Sequence, residues 1–139
     1  MAARTLSIYT FLLAIVLALG ACKKDDMANE AVGELNKLAD EIVTTVKEGD
    51  DRKASVDAAQ KMLDGKRADL QAKMAEIMEL RGFQVSEETA ANVNKVRTEA
   101  GIKVAGLQLE LIAETSGDEE LEKKLEKLTD DFTNLVDGK

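Results

Sequence analysis

No proline occurs anywhere in the 139 residues, and that absence constrains the fold more than any other feature of the chain. Proline is the strongest single helix breaker, so a chain without it must end its helices with glycine, capping side chains and turn residues. Such stops are present at Gly49-Asp50-Asp51, between Gly82 and Ser86, and at Ser116-Gly117-Asp118. They divide the chain after residue 26 into four long stretches. In each stretch apolar residues recur at three- and four-residue steps, the repeat of one helical face.

The first stripe reads Met27, Ala31, Leu35, Leu38, Ile42 and Val46; the second reads Val56, Ala59, Leu63, Leu70, Met74 and Ile77. A third, Val93, Val96, Ala100, Val104, Leu107 and Leu111, carries a helix to about Thr115. The fourth is Leu121, Leu125, Leu128, Phe132 and Leu135. Asp50-Asp51 suits the N-cap of the second helix and Ser86 that of the third, while Ser116 with Glu119 fits a capping box for the fourth. Four amphipathic helices on short links predict an all-α fold, an antiparallel up-down four-helix bundle. Helices two and three, each of about 29 residues or roughly 43 Å, are expected to form a central hairpin folding back at Gln84. That register sets Met62 and Gly65 opposite Gly101 and Gly106, a notch of small residues where backbones approach closely.

The first twenty-two residues have a different character. Arg4 is followed by an apolar run from Leu6 to Leu19, broken only by Ser7 and Thr10, and then by the small residues Gly20 and Ala21 before Cys22. This is the pattern of a secretory signal peptide, and as a membrane span the run is at the short limit of about 17–25 residues. The segment Leu19-Gly20-Ala21-Cys22 resembles the lipobox of bacterial lipoprotein precursors. The resemblance implies cleavage between Ala21 and Cys22, a thioether-linked diacylglycerol on Cys22, and membrane attachment through that lipid. A cysteine thiolate is the nucleophile such a transfer needs, and two or three acyl chains give stable anchoring where one is reversible. The expected organisation is a helical signal peptide over 1–21, a short tether over 22–26 with lipidated Cys22, and the helical domain over 27–139. Lys23, rather than aspartate, follows the cysteine, which by the same resemblance implies the outer membrane in a host with two membranes. Cys22 is the single cysteine, so the domain has no internal disulfide.

Charge narrows the partners. The chain carries 19 basic and 27 acidic side chains, a net charge of −8, and losing Arg4 with the signal makes it −9. Nucleic-acid binding needs a clustered basic stripe, and none is visible. The acidity does not itself identify a partner; helical faces suit a protein, so a protein partner in the cell envelope is the expectation.

The inventory also limits chemistry. Histidine is absent, which removes histidine-ligated haem, the Glu-x-x-His pairs of di-iron bundles, histidine zinc sites and Ser-His-acid catalysis. Met62, Met74 and Met78 are formally able to ligate haem, but their helical spacing reads as core filling. Asp50-Asp51 and Asp118-Glu119-Glu120 lack calcium-loop spacing and sit where the helix macrodipole favours acids. The expected set of catalytic, cofactor and metal residues is therefore none. The functional expectation is a non-enzymatic helical binding or structural module anchored in the envelope. Alternatives are a small-ligand carrier using the Gly65/Gly101/Gly106 notch, or an enzyme using acidic or Ser-Lys chemistry. Lys139, the final residue, resembles the terminal lysine of peptidoglycan-linked outer-membrane lipoproteins and supplies one further alternative.

Overall fold

The computed structural model describes the backbone of residues 3–80, 82 and 84–139, and the side chains of 24–80, 82 and 84–139. Its elements are α1 (Ala3–Glu48), α2 (Arg52–Glu79), α3 (Glu87–Glu110), the single turn α4 (Ile112–Thr115) and α5 (Glu119–Val136), with no strand among the described residues. The four long helices form a bundle, and sequence-consecutive helices run in opposite directions. Every residue of the second and fourth predicted stripes is buried, and in the other two only Met27 and Val96 are partly covered.

The helix neighbours differ from the expected hairpin. α1 packs on α2 and α3, and α5 packs on α2 and α3, so α2 and α3 stand diagonally across the core. α1 and α3 are therefore parallel neighbours. Asn92 donates to Asn29 at 2.9 Å, Lys103 to Asp40 at 2.7 Å, and Lys47 pairs with Glu110, all in ascending register. Short links do not force α2 beside α3, because helix axes about 8–10 Å apart make the diagonal only about 11–14 Å. Residues 80–86 span that easily, at up to about 3.3 Å each.

The same arrangement removes the glycine notch. Gly65 and the pair Gly101/Gly106 lie on helices that do not adjoin, and a Cβ on any of the three would meet nothing within 4 Å. They are helix-interior glycines facing open space. Gly49 is the opposite case: a Cβ there would lie 1.7 Å from Ser55 Oγ and 2.9 Å from Ser55 Cβ. The α1–α2 turn closes over Gly49, and Arg52 completes it by donating to the carbonyls of Val46 and Lys47 (3.1 Å). Those carbonyls are orphans of the last turn of α1, so the guanidinium acts as its C-terminal cap.

Caps set the other boundaries. Asp51 accepts from Ala54 N–H at 3.1 Å and Ser86 from Thr89 N–H at 3.1 Å, both as expected from sequence. The capping box at Ser116 does not form. Gly117 has φ +101, and Asp118 is the N-cap of α5, accepting from Leu121 N–H at 3.1 Å. A carboxylate accepts more strongly than a hydroxyl and adds a favourable charge at the helix start. The expected single helix to Thr115 is interrupted at Leu111, whose φ of −98 and ψ of 9 bend the chain into α4 while Leu111 stays buried.

The segment expected as a tether is helical, since α1 runs through residues 22–26 without interruption. Lys24 pairs with Glu76 and Asp25 accepts from Ser86 N–H at 2.8 Å, so both already belong to the bundle. Helical backbone between Cys22 and the folded body leaves no slack for a flexible linker. The side chains of Ala21 and Cys22, the expected cleavage and lipidation positions, lie outside the described residues. Among the described residues no helix is long and apolar enough to cross a membrane.

Candidate interaction surface

Three of the four helix seams are laced by charge. Lys24–Glu76, Lys66–Glu41 and Lys73–Glu34 join α1 to α2; Lys103–Asp40 and Lys47–Glu110 join α1 to α3. Lys53–Glu120, Lys124–Asp57 and Arg67–Asp131 join α2 to α5. The ammonium groups of Lys53, Lys73 and Lys124 are held above their ordinary range, in each case first by a hydrogen bond to a carboxylate: Asp118, Asp69 and Asp57 respectively. The exposed pairs among these add little stability one by one, but together they favour this choice of helix neighbours.

The α3/α5 seam is built differently. Near the chain end Arg97 donates to the Val136 carbonyl at 2.9 Å and pairs with Asp137 at 3.5 Å, and further along Gln108 donates to Thr129. Elsewhere no ion pair or side-chain hydrogen bond crosses it among the described residues. α3 turns a second apolar stripe outward here, Ile102, Ala105 and Leu109, continued by Ile112 of α4. Ile102 is 66%, Leu109 76% and Ile112 63% exposed. Only Met78 joins them as an exposed large hydrophobic among the described residues.

Two grooves of about 400 Å³ each follow this seam. The first is lined by Leu109, Ile112 and Thr115 on one side and by Glu122, Glu126 and Asp130 on the other. The second is lined by Thr98, Gly101, Ile102 and Ala105 against Thr133 and Val136. Glu122, Glu126 and Asp130 follow at four-residue steps, which puts them on one face of α5. No cation pairs with any of the three among the described residues, whereas Asp131 beside them is bound by Arg67, Gln60 and Lys127. The arrangement is an apolar helix face bordered by a row of unneutralised carboxylates.

No family model matches this chain, and no curated protein or solved structure matches it.

The sequence-level candidates do not converge on a site. Met74 is buried in the core, Met62 is half-buried and receives the Thr45 hydroxyl at 3.6 Å, and Met78 is 48% exposed. Asp51 and Asp118 serve as helix caps, and among the described residues no three potential metal ligands gather. Ser55 is buried with its hydroxyl donating to the Asp51 carbonyl at 2.7 Å, and Ser86 caps α3. Lys139 is 70% exposed and pairs with Asp137 at 3.0 Å.

The outward stripe escaped the sequence reading. Its signal was there, in apolar residues at 102, 105, 109 and 112, spaced three, four and three and out of phase with the core stripe of the same helix. A helix apolar on two faces has two surfaces to cover, and the bundle covers one.

Proposed function

We propose that this chain is a membrane-anchored envelope lipoprotein whose helical domain is a non-enzymatic interaction module. The observation that carries the module reading is the exposed stripe of Ile102, Leu109 and Ile112 on a bundle whose other helix seams are closed by ion pairs. Contiguous exposed apolar residues on a small domain mark a surface that another molecule covers. The anchoring reading is supported by the run ending Leu19-Gly20-Ala21-Cys22, the resemblance to a lipobox, and the position of Cys22 directly ahead of the bundle. A lipid there holds the bundle close to the bilayer, with Lys24 at the proximal end.

In this reading the catalytic inventory stays empty, and the acidic surface serves solubility and partner selection. Mass analysis of the native product tests the anchoring. The expected species begins at Cys22 and carries diacylglycerol on its sulfur, with or without an N-acyl chain. A free thiol, or a product beginning at Met1, contradicts it.

A further inference from the structure

We propose that the α3/α5 groove receives a cationic amphipathic helix of a partner protein. The inference rests on the module reading above and names the occupant of that surface.

Shape calls for a helix. Ile102, Ala105, Leu109 and Ile112 keep the three-and-four spacing by which one helix meets another along a seam. Along α3 from Thr98 to Glu110 the two grooves extend roughly 18 Å at 1.5 Å per residue, and the turn of α4 carries them on to Thr115, which is room for about four helical turns. Gly101 and Ala105 keep the floor of the second groove low, with nothing within 4 Å of where a glycine Cβ would stand. A partner backbone can approach there.

Charge selects the sign. A helix seated on the stripe runs beside Glu122, Glu126 and Asp130, which no cation of this chain neutralises among the described residues. Lysine or arginine flanking the partner's apolar face meets these carboxylates and steers the encounter. A second copy of this chain brings the same three carboxylates and a net charge of −8 or −9, so self-association through this face sets like charges together. An anionic bilayer is repelled in the same way. The stripe also lies far from the proposed anchor: α3 starts beside Asp25, and Ile102 to Leu109 fall roughly 22–33 Å further along its axis.

The test uses the full processed chain in phosphatidylcholine nanodiscs, with empty discs as the reference for lipid binding. The probe is a labelled Leu/Lys helix of about 18 residues with leucines at three-four spacing, alongside a Leu/Glu helix of the same pattern. Saturable binding of the Leu/Lys probe is expected, at least about tenfold tighter than that of Leu/Glu. Ile102→Ser with Leu109→Ser is expected to weaken it about tenfold or more, and Glu122→Gln with Glu126→Gln and Asp130→Asn to do the same while flattening its salt dependence. Hydrogen exchange on the wild-type complex is expected to protect 98–115 and 122–130, a readout independent of variant folding. Equal binding of both probes, or variants that bind like the wild type, overturns the proposal. Dimerisation through this face or preference for Leu/Glu also overturns it, but leaves an interaction module standing. Absence of any bound helix removes the occupant and the module together, whatever the acyl state of Cys22.

Discussion

Leu107 and Leu109 stand two residues apart in α3, yet Leu107 is fully buried and Leu109 is 76% exposed. Two residues turn a helix by about 200°, so the pair marks its inward and outward faces. Leu107→Ala is expected to cost about 2–5 kcal/mol, through lost burial and the cavity left behind. Leu109→Ala is expected to stay within about 0.5 kcal/mol of the parent. Chemical denaturation of the two variants measures the difference, and equal costs would mean that Leu109 is covered within the folded chain itself.

A second contrast concerns glycine. Gly65 and Gly106 lie in helix interiors with no neighbour near a Cβ position. Alanine there removes backbone entropy from the unfolded chain at no steric cost, so each substitution is expected to stabilise by about 0.5–1 kcal/mol. For a domain of this size that raises Tm by about 2–4 °C. Gly49→Ala should move it the other way by about 1–3 kcal/mol, because the new methyl displaces Ser55 from its bond to the Asp51 carbonyl. Thermal unfolding of the three variants checks both signs.

Acid stability follows from Asp131. Its side chain is 17% exposed, and it accepts from Lys127, from Gln60 at 2.9 Å and from Arg67 at 3.1 Å. The Lys127 ammonium foremost, with Gln60 and Arg67, holds its carboxyl below the ordinary range against the opposing effect of burial. A depressed folded value means the ionised form is favoured in the native state. The resulting stability is fully present above the unfolded carboxyl value of about 3.9 and is lost as pH falls through the lower folded value. Asp131→Asn is expected to lower stability at neutral pH by about 1–2 kcal/mol and to flatten the dependence on pH below about 4. Denaturation midpoints from pH 7 down to about pH 2 measure both effects.

The diagonal crossing from α2 to α3 depends on Ser86, whose hydroxyl caps α3 while its N–H reaches Asp25 of α1. Ser86→Ala keeps the second bond and removes the first, for an expected loss of about 1 kcal/mol. Ser86→Asp should recover most of it, and calorimetry of the pair separates capping from the identity of the side chain.

The helices and their buried faces were legible in the sequence because 3.6-residue periodicity is a local property, and Leu121, Leu125, Leu128, Phe132 and Leu135 carry it in plain form. Neighbour identity was not. Whether α2 meets α3 depends on pairings such as Lys103 with Asp40 and Lys124 with Asp57, more than sixty residues apart in sequence, and short links permit either arrangement. Asp118 was passed over as N-cap because Ser116 and Glu119 satisfied a capping box that Gly117 then bypasses. The groove was hidden for a related reason: Glu122, Glu126 and Asp130 look like any solvated helix face until Leu109 and Ile112 are set against them.

If a partner protein covers the outward face of α3 at the membrane, Leu109 lies in the contact. A photoreactive benzoylphenylalanine replacing Leu109, with one replacing exposed Lys61 on α2 as reference, tests this in intact cells. One discrete adduct from position 109, in the membrane fraction and with its crosslinked segment a lysine- or arginine-rich amphipathic helix, is the predicted result. No adduct at position 109, or the same adducts from both positions, contradicts it.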